Sequence, residues 1–200
     1  MRERGPRRVR IVDLRADDDQ QTQRAAALLV EGFREHWPAA WPDLDSARRE
    51  VVEMLAPDCL CRAALDEDGR LVGWIGGIPG YDGRVWELHP LVVDQGRRMQ
   101  GIGRALVEDL ELLVAERGAL TLWLGTDDED FMTSLAGCDL YDDLPARIAT
   151  FRNLKGHPAG FYLKLGFRIM GVVPDANGVG KPDILMAKRV APTPGPRGSS

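Results

Sequence analysis

The stretch Trp86-Glu-Leu-His-Pro-Leu-Val-Val-Asp94, followed by Arg97-Arg-Met-Gln-Gly-Ile-Gly-Arg104, decides how this chain reads. Period-two alternation puts Val85, Glu87 and His89 on one face of a strand, and Trp86 and Leu88 on the other. Pro90 has no N–H for a ladder, so it belongs at an edge or a bulge. A bulge would leave backbone groups around Leu91, Val92 and Val93 unpaired, able to hold an extended ligand as a missing strand would. The plainer reading is that Pro90 ends an edge strand. Next comes Arg98-Met99-Gln100-Gly101-Ile102-Gly103-Arg104, which opens a helix. Glycines let backbone approach a phosphate closely, and a helix N-terminus offers unpaired N–H groups with a favourable dipole. Arg97, Arg98 and Arg104 add positive charge. The whole suits an anionic, extended cofactor lying beside a carboxylate and an imidazole. A dinucleotide fingerprint fits less well, because Leu106 stands where the third glycine or alanine is needed and a loop separates strand from glycines. An ordinary pair of loop glycines is the plainer alternative.

Working outward, Val9 to Leu14 reads as an opening strand, and Gln20 to Phe33 as a helix with Ala25, Leu28, Leu29 and Phe33 on one stripe. Pro38 and Pro42 interrupt the chain around Trp37 and Trp41. Asp45 or Ser46 can cap a second helix running to Leu55. Cys59 to Asp66 and Arg70 to Ile78 alternate as strands about a Glu67-Asp-Gly69 turn. Arg84 to Val93 is the next strand. Gly101 to Arg117 is a helix closed by Gly118, and Leu120 to Leu124 is a buried strand. Positions 126 to 157 read as an acidic loop with a short helix, a length that is usually functional. Ala159 to Leu165 is a helix. Arg168 to Val173 and Ile184 to Val190 form a hairpin about Asp175-Ala-Asn-Gly178. The expected fold is α/β: a mixed, largely antiparallel central sheet with helices on both faces, as one domain over residues 1–190. Residues 191–200, rich in Pro, Gly and Ser, are expected to be a disordered tail.

At 200 residues the chain can bury a substantial core. No apolar run approaches the roughly 20 residues of a membrane span, and no signal peptide is visible, so a cytoplasmic location is expected. Cys59, Cys61 and Cys138 are too few and too scattered for a disulfide framework. A net charge of -5 and the lack of a folded basic patch argue against a nucleic-acid partner. The arginines at positions 2, 4, 7, 8 and 10 are a candidate basic arm for an acidic partner, and the plainer reading is a solvated end. Acidic residues cluster at Asp127, Asp128, Glu129 and Asp130, and again at Asp139, Asp142 and Asp143. Such a rim raises the local concentration of a cationic ligand. The histidines at 36, 89 and 157 and the Cys59-x-Cys61 pair do not make a metal set, so no metal is expected. No Gly-x-Ser-x-Gly elbow is present. Phe161-Tyr-Leu-Lys-Leu-Gly-Phe167 reads as a short core helix, or as a carrier for the Tyr162 hydroxyl.

Taken together, Arg98-x-x-Gly101-x-Gly103 and Tyr162-Leu-Lys-Leu-Gly-Phe167 resemble the GNAT family of acetyl-CoA-dependent N-acetyltransferases. A narrower likeness, from about Trp37 to Val190, is to the aminoglycoside 6'-N-acetyltransferases. It rests on Trp86-Glu-Leu-His-Pro-Leu-Val-Val93, Leu124-Gly-Thr-Asp-Asp128, Asn153-Leu-x-x-His-Pro158, Pro174-Asp-Ala-Asn-Gly178, Lys181-Pro-Asp-Ile184 and Met186-Ala-Lys188.

The resemblance implies transfer of acetyl from acetyl-CoA to the 6'-amine of a cationic aminoglycoside, antibiotic resistance as the outcome, and a homodimer. It implies that the backbone of Leu91 to Val93 binds the acetyl and pantetheine portion, and that Arg98 to Arg104 bind pyrophosphate, with Asn153 a further cofactor contact. Glu87, with His89, would meet the acceptor amine, and Tyr162 would be the general acid. Trp37, Tyr81, Asp127, Asp130 and Asp139 would line the acceptor pocket. The chain departs from the relatives at Asp94 to Met99, at Ala159-Gly160 and after Asp128, which leaves drug preference open. A GNAT enzyme acting on polyamines or protein amines, and a non-catalytic acetyl-CoA- or drug-binding module, remain alternatives. Ile184 to Met186 could supply a pairing edge or lie inside the sheet.

Overall fold

A computed structural model describes residues 9–191. The arginines at 2, 4, 7 and 8 and the tail from Pro192 lie outside the described residues. The described chain forms two compact units, divided between Arg117 and Gly118.

The first unit holds β1 (Arg10–Asp13), α1 (Asp19–Phe33), α2 (Leu44–Met54), β2 (Leu60–Leu65), β3 (Leu71–Gly80), β4 (Val85–Val93), a single 3-10 turn at Gln95–Arg97, and α3 (Ile102–Glu116). Its strands pair in chain order, all antiparallel. Helices cover both faces, and the alternation along β2 shows how. Cys61, Ala63 and Leu65 join the core made by Leu28 and Leu29 of α1 and Val51 and Met54 of α2. Arg62 points the other way and pairs with Asp109 of α3 at 2.7 Å. The stripe Ile102, Leu106, Leu110 and Val114 presses α3 onto the sheet. Each such side chain contributes roughly 1.5–3 kcal/mol on burial. Trp74, fully buried, donates its indole N–H to the Ala25 carbonyl at 3.1 Å, so its one polar atom is satisfied.

Local signals account for the helix ends. Asp18 caps α1 by accepting from the Gln21 N–H. The cap of α2 is Asp43, two residues before Asp45 and three before Ser46, the two expected. Asp43 accepts from the Ser46 N–H at 2.8 Å, and Ser46 completes the box from the N3 position, so it assists the cap without being it. Gly118 ends α3 at φ +86.

The second unit holds β5 (Thr121–Asp127), α4 (Leu144–Ala149), α5 (Ala159–Lys164), β6 (Arg168–Val173) and β7 (Asp183–Arg189). β7 lies between β5 and β6 and is antiparallel to both. Ile184 and Met186 are therefore internal, with ladder partners on both sides. They do not offer a pairing edge. The fold is mixed α/β with antiparallel pairing and helices on both faces of the first unit's sheet, as the pattern predicts. Among the described residues no helix is long and apolar enough to cross a membrane.

Candidate active site

Pro90 sits inside β4, which continues to Val93, so it does not end the strand. The register passes from Gly77 opposite Leu88 to Ile75 opposite Leu91. Two residues, His89 and Pro90, thus face the single residue Gly76, which is a β-bulge. The extra residue changes which side chains share a face. Before the bulge, Trp86 lies on the α3 side, beneath the Arg117 guanidinium at 5.4 Å. Glu87 and His89 lie on the α1/α2 side. Beyond it, Val92 joins the α1/α2 core. Val93 lies on the side of Ile102 of α3.

The ladder with β3 resumes at once after the bulge, so Leu91 to Val93 are paired along that side, contrary to the sequence expectation. The Asp94 N–H donates to the Val72 carbonyl at 2.8 Å. Counting back by two in an antiparallel pair, Val92 bonds toward β3, whereas the N–H and C=O groups of Leu91 and Val93 point away from it. Those groups are not spent on β3.

A cluster the sequence reading missed surrounds His89. Glu50 of α2 brings Oε1 to 3.3 Å from His89 Nε2. The Glu50 side chain is 18% exposed and that of His89 41%. The Trp41 ring lies 5.9 Å from His89 and packs edge-on against Phe33 at 4.6 Å. Burial alone would lower the His89 pKa, but pairing with Glu50, its charge and that of Glu87 raise it above the ordinary histidine value. The Glu50 carboxyl is lowered by its hydrogen bond to His89, against burial, with further help from the His89 charge and a hydrogen bond from Trp41. One signal could have found Glu50. It sits on the stripe of Ala47, Val51 and Met54, where an apolar residue is expected.

The loop from Asp94 to Gly101 is tied to the rest of the unit. Asp94 receives Arg24 at 2.6 Å and the Gly96 N–H at 3.0 Å. Gln95 donates to the Glu31 carbonyl at 2.8 Å and Arg98 to the Gly32 carbonyl at 3.1 Å. Arg97 pairs with Asp66 at 2.9 Å. Met99 is fully exposed at φ +61. Gly101, the N-cap of α3, has φ +83, a conformation that glycine adopts without strain. No side chain caps that helix end, and a Cβ at Gly101 would meet open space. The α3 N-terminus with Gly103 and Arg104 in its first turn is thus an approachable set of N–H donors. Trp37, in the turn after α1, packs at a tilt against Phe33 at 5.8 Å, and Tyr81 stands 80% exposed at the β3–β4 turn.

In the second unit the acidic residues divide by role. Asp128 is fully buried and accepts from the Met132 and Thr133 N–H groups at 2.7 and 2.8 Å. It closes a turn and does not belong to a solvent-facing rim. Asp127 receives Asn177 at 2.5 Å, while Asp130 and Asp139 are exposed. Asn153 brackets the 153–157 turn, accepting from the His157 N–H at 2.9 Å and donating to its carbonyl at 2.6 Å. Buried His157 bonds the Asp127 carbonyl through Nε2 at 2.9 Å and accepts from the Ala159 N–H through Nδ1 at 3.2 Å, which sets its tautomer. Tyr162 is packed edge-on between Phe161 at 5.1 Å and Phe167 at 5.6 Å. Burial pushes its phenol pKa well up, so the hydroxyl keeps its proton across the neutral range. Among the described residues no cluster of three or more His, Cys, Asp or Glu could hold a metal ion.

An approachable helix N-terminus after a bulged strand defines a class, and residues 22–136 match the acetyltransferase (GNAT) family. The chain belongs to that family. It is similar over nearly its whole length to a solved aminoglycoside 6'-N-acetyltransferase complexed with coenzyme A. The identity is 44%, covering 93% of this chain and 99% of that one, with a TM-score of 0.86. The aminoglycoside 6'-N-acetyltransferase from Enterococcus faecium is also 44% identical, with the same coverage and a TM-score of 0.84. Aminoglycoside 6'-acetyltransferase type Ii is 38% identical over 92% of this chain and 99% of that one, with a TM-score of 0.70. Comparison with curated proteins gave no match.

Proposed function

We propose that the chain is an aminoglycoside 6'-N-acetyltransferase, using acetyl-CoA to acetylate the 6'-amine of aminoglycoside antibiotics. The observation that carries this is 44% identity over 99% of a protein of that activity that binds coenzyme A. The uncapped N-terminus of α3, with room at Gly101, fits a pyrophosphate. Acetyl-CoA supplies the activated acyl group, and the protein's own groups do the rest. The Arg98–Arg104 backbone holds the pyrophosphate. The outward N–H groups of Leu91 and Val93 hold the pantetheine arm and polarise the carbonyl to be attacked. An aliphatic ammonium cannot attack until it loses a proton. Glu87 and His89 hold that group and accept the proton, directly or through water. Tyr162, kept protonated by burial, gives its proton to the leaving sulfur. Trp37, Tyr81, Asp127, Asp130 and Asp139 favour a polycationic acceptor. Resistance, a cytoplasmic location and a homodimer belong to the same proposal.

The test is thiol release from acetyl-CoA with three acceptors: a kanamycin-class drug, a polyamine and a lysine peptide. Release with the drug, acetyl on its 6'-nitrogen by NMR, and no release with a drug lacking that amine are expected. Turnover of the polyamine or peptide alone would assign a different acceptor. Binding of drug and acetyl-CoA without thiol release would make the protein a binding module.

A further inference from the structure

We propose that Glu50 is the positioning residue for His89, fixing the imidazole with its proton on Nε2 so that Nδ1 is the nitrogen that takes a proton from the acceptor ammonium. This rests on the reading of the site as an amine acetyltransferase and deepens it. The geometry is that of a carboxylate–imidazole dyad: Glu50 Oε1 lies 3.3 Å from His89 Nε2. A deprotonated carboxylate only accepts hydrogen bonds, so it selects the tautomer with hydrogen on the nitrogen facing it. The carboxylate is itself held, by the Trp41 hydrogen bond and by its place on the buried stripe of α2. Most of the Glu50 side chain is withdrawn from solvent, so its charge acts on His89 with reduced screening.

Each element around His89 contributes in a definite way. From α2 comes the Glu50 charge, from the turn after α1 the uncharged Trp41 ring, and from β4 the Glu87 charge. Both charges are negative, so both favour the imidazolium that forms when the ammonium gives its proton to Nδ1. The proton leaves to solvent when the ring is reset. Nothing else is consumed, and the freed amine lone pair is the nucleophile. A base strengthened in this way takes a proton more readily at neutral pH. Glu87 remains to orient the ammonium, so the two carboxylates hold different posts: one behind the imidazole, one beside the amine.

The test combines a measurement on the free protein with one on turnover. NMR of ring-labelled histidine, assigned with His89→Gln, reads the tautomer and titration of His89 without any acceptor. We expect Nε2–H in the native protein. In Glu50→Gln we expect the His89 titration to move to lower pH. In turnover, the acid limb of kcat/KM for the acceptor amine should move to lower pH in step. The plateau kcat should fall roughly tenfold, as when a carboxylate orienting a ligand histidine is removed, with the KM for acetyl-CoA unchanged. Glu50→Asp should restore both readouts in part. Trp41→Phe, which keeps an aromatic ring there and removes the indole donor, should shift them in the same direction by less. A His89 titration and acid limb that stay put in Glu50→Gln would overturn the proposal, as would an Nδ1–H tautomer in the native protein. The NMR result stands whether or not the acceptor is an aminoglycoside. Failure of the drug assay is therefore distinguishable from failure of the dyad.

Discussion

Gly76→Ala should damage both stability and turnover, because Gly76 is the residue that faces the bulge in β4. A Cβ there would lie 2.2 Å from the His89 carbonyl oxygen and 2.7 Å from Met54 Sδ. The Met54 side chain can swing aside. The carbonyl is backbone, anchored on both sides by the ladder of β3 with β4. Recovering an ordinary contact of 3.4 Å requires the backbone of His89 to retreat by about 1 Å. Overpacking of this kind costs roughly 1–3 kcal/mol, and a contact with backbone belongs at the upper end, about 3 kcal/mol. The same displacement draws the imidazole off Glu50. A misplacement of about 1 Å at a reacting group can cost on the order of 10²-fold in rate. Denaturant unfolding and steady-state thiol release measure the two effects. Gly80→Ala is the control: it lies on the same strand, with only the Val85 carbonyl at 3.5 Å. It should fall within about 0.5 kcal/mol of the native protein. If Gly76→Ala matches native stability and rate, the bulge relaxes freely and does not place His89.

Asp128→Ala removes the acceptor of two buried N–H groups and should cost roughly 3–5 kcal/mol in denaturant unfolding; a loss below about 1 kcal/mol would show the turn closes without it. Gly103→Glu puts a carboxylate in the first turn of α3, where it favours the helix itself, yet coenzyme A affinity by calorimetry should drop tenfold or more; near-native affinity would mean that pyrophosphate binds elsewhere. Tyr162→Phe keeps the ring packing and should lower kcat on the order of 10²-fold; native turnover at every pH would leave Tyr162 a packed aromatic. The Glu50–His89 pair should also shape stability against pH. The depressed Glu50 contributes above its unfolded value and the contribution is lost as pH falls through its folded one, whereas the raised His89 contributes below its unfolded value and the contribution is lost as pH rises through its folded one. The stability deficit of Glu50→Gln should therefore be largest between about pH 4.3 and 6.5 and shrink on both sides; a deficit independent of pH would rule this out.

Much of the fold was legible because it is written in local periodicity. Strand alternation at Trp86 to His89, the α3 stripe and the Gly118 stop need only neighbours in sequence, and each appears where the pattern puts it. What was not legible depends on distant partners. A local exception is the α2 cap, which falls on Asp43, two residues before Asp45. Asp128 looks like part of an acidic rim until the Met132 and Thr133 N–H groups are found folded back onto it. Glu50 lies on another helix from the motif it serves, and no spacing rule connects it to His89. Arg97 and Arg98 have the composition of phosphate ligands, yet in the fold one reaches Asp66 and the other Gly32. The backbone of the loop keeps its approachable donors while these arginines tie it down.

The bulge in β4 also works as a phase shifter. A regular strand obeys one inside–outside rule along its whole length, so a polar pair at Glu87 and His89 would send Val92 to the opposite face. One surplus residue resets the count, and Val92 returns to the α1/α2 core that the polar pair borders. The two ends of the strand are therefore independently editable. Pairing the same residues without the bulge would invert one end against the other, turning either Glu87 toward α3 or Val93 toward α1, whereas deleting the surplus residue would leave both ends on their present faces. Substitutions at either end, by contrast, need satisfy only their own neighbours.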